Sequence, residues 1–291
     1  METNYSLYPK ISVVTPNFNG AKYLEETIRS VLEQKYPNLE YIIIDGNSTD
    51  DSLKIIRKYE KQLFYFISEK DEGMYDAINK GFDVSTGEIM TYINSDDTLL
   101  PNSLFAIAQI FRDLEEVYWI QGRSLTMNDK SYFTSPGHLH RSTIYDYMIE
   151  NGKWISQDGT FWRRSLWNKI GARINSKYKL AGDFDLFSHF FLYSELYSTN
   201  NIFSAFRHHA NQLHQLFFRE YIKEVREIIR EKNYPESLKK EQKRIHFISS
   251  LLTKIPGLRN TEYVRNKITR LYKATPMIYY NLFENKFKLD E

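Results

Sequence analysis

The chain has 291 residues, 42% of them hydrophobic and 26% charged, with 39 Lys+Arg against 37 Asp+Glu. That length allows one large domain or two modest ones, each with a sizeable core, and the composition is that of a soluble globular protein. The absence of cysteine excludes a disulfide scaffold, thiolate metal sites and a cysteine nucleophile. No apolar run approaches the roughly 20 residues that span a bilayer. METNYSLYPK also lacks the basic-then-apolar pattern of a signal peptide, so a cytoplasmic location with only peripheral membrane contact is expected. The balanced total hides an asymmetry: from Gln215 onward there are 17 Lys+Arg against 10 Asp+Glu.

The first hundred residues alternate strand and helix signals, as an open α/β sheet requires. Ile11–Pro16 is a buried strand that breaks into the polar loop NFNG. Ala21–Gln34 follows with Leu24, Ile28, Val31 and Leu32 at helical spacing. Leu39–Asp45 is a second strand closing on GNSTDD, where Ser48, Thr49 or Asp50 can cap the next helix, SLKIIRKYEKQL. Phe64–Glu69 is a third strand, GMYDAINKGFDVS a helix and EIMTYIN a fourth strand. The middle, 102–200, is less regular: NSLFAIAQIFRDL and LAGDFDLFSHFFLY read as amphipathic helices and EVYWIQGRS as a strand. Residues 1–214 form the expected main domain. Residues 215–291, with Tyr221, Val225, Ile228 and Ile229 on one face of REYIKEVREIIREK, form an expected basic helical appendage.

Each early strand ends in polar or acidic residues: Asn17, Asp45, Glu69 with Asp71, then Asp96 with Asp97. In parallel α/β sheets ligands bind beyond the carboxyl ends of the strands. A single strand-end Asp is ordinarily a helix cap, whereas four such ends in register point to a ligand. Adjacent carboxylates suit a hard divalent cation, Mg²⁺ or Mn²⁺, shared with substrate phosphates. The pair is weak evidence alone, since Asp50-Asp51 reads only as a solvated helix start. Competing sites lack their motifs: there is no G-x-G-x-x-G, no phosphate-binding G-x-x-x-x-G-K-[ST], no H-E-x-x-H and no G-x-S-x-G. A second carboxylate, Asp183, sits in the first turn of its helix. There it is either a charge that complements the helix dipole or a general base.

Taken together and in order, these segments resemble the inverting glycosyltransferases of family 2, which have the GT-A fold, a Rossmann-like open and mostly parallel sheet flanked by helices. The likeness covers residues 10–210. SVVTPNFNG, with Thr15, Pro16, Asn17 and Asn19, and Asp45 resemble the part bordering the nucleoside base. DEGMYDAINKG is similar to a D-x-G-x-x-x-A-x-N-x-G segment, with Asp71, Gly73, Ala77, Asn79 and Gly81 in matching positions. INSDDTLLP matches the acidic motif, which implies Asp96 near the ribose and Asp97 on the cation; Asn94 stands where many members carry another Asp. SQDGTFWRRSLWNKIG resembles an acceptor-side signature around Gln157, Phe161 and Trp162. AGDFDLF resembles the E-D segment, with Gly182 in the place of the Glu, Asp183 as the implied general base and Asp185 as a second candidate. FRHHANQLH is similar to an R-x-H element, which implies Arg207 near the diphosphate and His209 near the cation.

What the resemblance implies is transfer of a sugar from a nucleotide-sugar, UDP-linked, to an acceptor hydroxyl with inversion, using Mn²⁺ or Mg²⁺. A sugar or lipid-linked acceptor in cell-surface polysaccharide or glycolipid assembly would suit it. The basic tail then reads either as a packed appendage with a solvated face or as a surface resting on anionic lipid at the inner face of the membrane. Two alternatives stand beside this reading: a nucleotidyltransferase, for which TPNFNGAKY offers only Lys22 to a triphosphate, and a silent sugar-nucleotide-binding protein. Nucleic acid is not an expected partner, because Lys and Arg in the tail alternate with Glu.

Overall fold

The computed structural model describes residues 8–254 except 151 and 211, then 275–290 and a few single positions between 261 and 272. Among the described residues eleven strands form one mixed sheet. Its parallel half is built from β1 (Ile11–Asn17), β2 (Leu39–Asp45), β3 (Tyr65–Ser68) and β4 (Ile89–Tyr92), in the order β4-β1-β2-β3. The helices between them are α1 (Ala21–Leu32), α2 (Ser52–Tyr59) and α3 (Met74–Val84). Next come β5 (Thr98–Leu99), α4 (Ser103–Asp113), β6 (Trp119–Met127), β7 (Phe133–Pro136), α5 (Ile144–Tyr147), β8 (Thr160–Arg163), α6 (Arg164–Lys169), α7 (Gly182–Phe190) and β9 (Tyr197–Arg207). β8 lies antiparallel between β4 and β6, and β9 runs parallel to β6.

The strand residues explain the layers. β1 and β2 are buried along almost their whole length, the mark of parallel strands covered on both faces. Successive side chains serve opposite layers. Val13, Tyr41, Ile43, Ile89 and Phe161 pack with α1, α2 and α4. Val14, Ile42, Ile44, Met90 and Trp162 pack with α3 and α7.

The C-terminal region departs from the helical expectation. It opens with α8 (Leu213–Leu216), α9 (Phe218–Glu231) and α10 (Glu236–Lys254), but ends in β10 (Met277–Asn281) and β11 (Lys286–Leu289). β10 pairs parallel with β9 through Met277↔Ser198 and Ile278↔Thr199, and β11 closes the sheet edge as an antiparallel partner. The β-branched and aromatic run MIYYN suits a strand better than a helix, which the longer periodic reading obscured. Of the tail segments expected to be helical, 255–260 and most of 261–274 lie outside the described residues. α9 is no loose arm: Val225 and Ile228 belong to the core layer that also holds Phe184 and Phe187 of α7. Structure thus crosses the expected boundary at 214/215.

Candidate active site

The carboxyl ends of β1, β2 and β3 are in register: Asn17 pairs with Asp45, and Asp45 with Ser68. Their side chains meet there. The buried Asp45 carboxylate accepts hydrogen bonds from Asn17 Nδ2 (2.6 Å), Ser68 Oγ (2.6 Å), and the backbone amide (3.0 Å) and hydroxyl (2.5 Å) of Ser48. Asn19 accepts from the Thr49 amide at 2.8 Å, and Asp50 accepts from the Ala21 amide at 2.9 Å, so the loops after β1 and β2 are sewn together. Asp50, expected to serve only its own helix start, therefore also holds the start of α1. Thr15 (bonded to Tyr41 Oη) and Pro16 are buried beneath this loop as structure. A Cβ at Gly20 would sit 2.2 Å from Asn17 Oδ1 and 2.8 Å from Ser95 Oγ. Only glycine lets this loop approach the acidic one so closely.

The two acids after β4 have different surroundings. Asp96 is partly exposed, and its Oδ2 lies 2.9 Å from His209 Nε2. Asp97 is wholly buried; its Oδ1 accepts the Arg207 amide at 2.8 Å, and Asn94 Nδ2 stands 3.4 Å from Oδ2. Burial, with Asp96 and Asp158 nearby, pushes the Asp97 carboxyl well above the usual range. The resemblance implies a cation on Asp97 and His209; in the structure Asp96 is the acid beside His209, while Asp97 is buried and holds the end of β9 through the Arg207 amide.

Arg207 is also placed differently from expectation. Its guanidinium is fully buried, bonded to Glu26 (2.7 Å), Ser131 Oγ (2.8 Å) and the Asp96 carbonyl (2.7 Å), 4.3 Å above the Tyr23 ring centroid. It fixes the acidic loop from behind instead of reaching a diphosphate. His209 packs on the same Tyr23 ring, with centroids 5.1 Å apart. Nothing in the sequence pointed to Glu26 or Tyr23.

The DEG turn leads into α3. Asp71 Oδ1 accepts the Gly73 amide at 2.8 Å, and Gly73 has φ +121, a conformation that favours glycine. Asn79 is buried and grips the Ile174 backbone through both ends of its amide, at 2.9 Å each, so it is a clamp and not a ligand. Tyr75 Oη donates to the Leu180 carbonyl (2.9 Å) and reaches Asp183 Oδ1 (3.3 Å), which also accepts the Phe184 amide (2.8 Å). Burial outweighs these bonds and raises the half-buried Asp183 carboxyl to about 6. Asp185 faces elsewhere: it forms a buried ion pair with Lys232 at 2.7 Å. Residues two apart on a helix point in nearly opposite directions, so the two acids cannot share a role.

The acceptor-side expectations divide. Gln157 is half-buried and donates to the Tyr92 carbonyl at the end of β4. Phe161 and Trp162 are fully buried on opposite faces of β8, packed against Phe203 and against Phe82, Tyr92 and Phe190. Neither can touch a sugar. Asp158, missed in the sequence, is a buried acid held by the hydroxyls of Ser124, Ser156 and Ser204.

The family model for glycosyl transferase family 2 matches residues 12–196. The chain belongs to that family. It is 30% identical over 146 residues to a putative teichuronic acid biosynthesis glycosyltransferase, TuaG, of Bacillus subtilis, covering 49% of this chain and 58% of the relative. It is 34% identical over 105 residues to a GalNAc(5)-diNAcBac-PP-undecaprenol β-1,3-glucosyltransferase of Campylobacter jejuni, covering 35% and 34%. The chain thus spans from about a third to under two thirds of these relatives' lengths. Among solved structures, S. aureus TarS 1-349 in complex with UDP-GlcNAc superimposes with a TM-score of 0.64 at 17% identity, covering 90% of this chain and 79% of that one. The mannosyltransferase PcManGT of Pyrobaculum calidifontis, in complex with GDP-Man and Mn²⁺, gives 0.61 at 16%, covering 90% and 84%. These likenesses establish the GT-A architecture for this family member.

Two tests bear on what the site could hold. Asn17 Oδ1 and Asn94 Oδ1, at the ends of neighbouring strands, are buried acceptors with no hydrogen-bond partner among the described residues. Donor groups of a nucleoside would satisfy them. Among the described residues no group of three or more His, Cys, Asp or Glu is arranged to hold a metal ion. Asp96 and His209 still offer one oxygen and one nitrogen donor, which fits a cation that completes its shell with phosphate oxygens and water.

Proposed function

We propose that the chain is an inverting glycosyltransferase that moves one sugar from a UDP-linked donor to an acceptor hydroxyl. The carrying observation is the pair of distinct acidic centres beyond the same ends of the strands. One is accessible Asp96 with His209; the other is Asp183, with its carboxyl raised to about 6. In this reading Asn17, Asn19 and Asp45 shape the nucleoside end of the cleft, and the Asp71–Gly73 turn lines its floor. Mn²⁺ or Mg²⁺ held by Asp96 and His209 would supply neutralisation of the diphosphate leaving group. Asp97 and Arg207 keep that loop in place from beneath.

Asp183 carries the proton transfer. A carboxyl that titrates near 6 is ionised at neutral pH yet basic enough to take a proton from an attacking hydroxyl. As the acceptor oxygen bonds to the anomeric carbon, the bond from that carbon to the diphosphate oxygen breaks, and the proton passes to Asp183. Attack opposite the leaving group inverts the configuration.

For the acceptor, a cavity of about 280 Å³ between Ser124, His140, Trp154, Ser156 and Phe206 offers hydroxyl, imidazole and aromatic surfaces suited to a sugar ring. Close to His209 in sequence, Leu213, Leu216, Phe217 and Phe218 are 44–57% exposed, an apolar surface that suits a lipid-linked acceptor or the membrane carrying it. The relatives' roles in teichuronic acid and undecaprenol-linked glycan assembly point the same way. Among the described residues no helix is long and apolar enough to cross a membrane, so the contact proposed is peripheral. The test is a panel of UDP-, GDP- and dTDP-sugars with Mn²⁺ or Mg²⁺, read as released nucleoside diphosphate. Release from a UDP-sugar that vanishes in Asp96→Asn supports the reading; no release from any donor sinks it.

A further inference from the structure

The loop that delivers Asp183 is held from outside the family-matched span. Lys179, Leu180 and Ala181 precede α7, whose amino-terminal turn carries Asp183. Their three consecutive backbone amides point at one carboxylate, that of Glu224 on α9. Oε1 accepts from Lys179 at 3.0 Å, and Oε2 accepts from Leu180 at 2.9 Å and from Ala181 at 2.8 Å. Amides at a helix start have no partner within the helix and need an acceptor from elsewhere. α7 has no side-chain cap of its own. The only acids in its first turn are Asp183, which bonds the Phe184 amide, and Asp185, which is bound to Lys232.

The end of α9 and the residue after it reinforce this hold. Glu231 receives Lys177 Nζ and Tyr178 Oη, each at 3.0 Å, and Lys232 pairs with Asp185 at 2.7 Å. On the opposite side, Tyr75 Oη bonds the Leu180 carbonyl, and Lys179 Nζ bonds the Glu72 carbonyl at 2.8 Å. The base loop is therefore gripped between the DEG turn on the donor side and Glu224 on the other. The family match ends at 196, well before Glu224.

We propose that Glu224 is a positioning residue for the glycosyl-transfer reaction: by capping the amides of 179–181 in trans, it sets the place of Asp183. This rests on Asp183 being the base. Glu224 also adds negative charge near Asp183, which favours its protonated form. The other ionisable groups facing Asp183 are Tyr75 of α3, Tyr92 of β4, Tyr147 of α5 and Tyr221 of α9. All four are held far above neutrality chiefly by burial.

The experiment compares the full-length wild type with Glu224→Ala, Glu224→Gln, Arg226→Ala and Asp183→Asn. It reads kcat and KM for donor turnover from pH 5 to 8, and amide exchange over 179–181. Arg226 is the control: it lies two residues along α9, exposed and paired with Glu150. Expected for Glu224→Ala is a loss of about 10²-fold in kcat, the scale of a base displaced by an ångström. Donor KM should stay within about twofold, and exchange at 179–181 should rise. In Glu224→Gln, which keeps one acceptor but no charge, an intermediate kcat is expected, with the acid limb of the profile moved to lower pH. Arg226→Ala should match the wild type in every readout. The proposal is overturned if Glu224→Ala keeps the wild-type kcat and exchange pattern, or if Arg226→Ala loses as much. Turnover indifferent to Asp183→Asn overturns the base assignment instead, a result that the Glu224 variants alone could not produce.

Discussion

Replacing Asp183 by Asn is expected to abolish transfer and at the same time stabilise the fold. Burial lifts the Asp183 carboxyl from its ordinary 3.8 to about 6, so the ionised form is better accommodated in the unfolded chain than in the folded one. A group whose folded value lies above its unfolded value leaves stability untouched below the unfolded value, where it is protonated in both states. It then subtracts stability as pH rises toward the folded value. A difference of about 2 units at 1.36 kcal/mol each sets a ceiling of about 3 kcal/mol above pH 6. Asn keeps the oxygen that accepts from the Phe184 amide and Tyr75, but brings an amide group that needs a partner of its own. About half the ceiling, roughly 1.5 kcal/mol, is the expected gain, or about 3–6 °C in Tm for a domain of this size. Thermal unfolding of both proteins at intervals from pH 4 to 8 measures it. The Tm difference should be small near pH 4, grow to about pH 6 and level off above. A difference that is flat across this range, or an Asn variant less stable than wild type at pH 8, would refute the argument.

Three other perturbations separate structural from ligand-facing roles. Arg207→Lys keeps a charge but cannot reach Glu26, Ser131 and the Asp96 carbonyl together; urea unfolding should show a loss of about 3 kcal/mol, with donor KM rising as the Asp96 loop loosens. Trp162→Ala empties a fully buried site and should cost about 3–5 kcal/mol, while whatever activity remains keeps its acceptor KM; an acceptor defect at wild-type stability would return Trp162 to the sugar. Gly73→Ala meets no close atom but forces alanine to φ +121, so a backbone cost of about 1–3 kcal/mol and a weakened donor KM are expected, read by urea unfolding and donor titration.

Much of the fold was legible because parallel strands buried on both faces leave continuous apolar runs, as in ISVVTPN and LEYIIID, and each ends in a polar break. Those breaks come together at the carboxyl-end rim of the sheet. What they could not convey was which polar side chains turn inward. Asn79, Arg207, Phe161 and Trp162 all lie in matching motifs, yet the structure spends each on packing or on holding backbone. The resemblance gives Asp96 and Asp97 different roles, but it does not show that the buried one, Asp97, accepts an amide from the end of β9, more than a hundred residues away. The roles of Glu26 and Glu224 come from contacts distant in sequence, so one chain read alone contains no pattern for them. The closing strands β10 and β11 were missed because a helical period was carried past a β-forming run.

The central claim is that Asp183 removes a proton from a nucleophile attacking the face opposite the nucleoside diphosphate. Hydrolysis of a UDP-α-sugar without added acceptor, followed by proton NMR of the anomeric signals before they equilibrate, tests it most directly because water then stands in for the acceptor hydroxyl. The account predicts that the β-anomer appears first and that Asp183→Asn suppresses its formation. The α-anomer appearing first, or undiminished hydrolysis by the Asn variant, would contradict it.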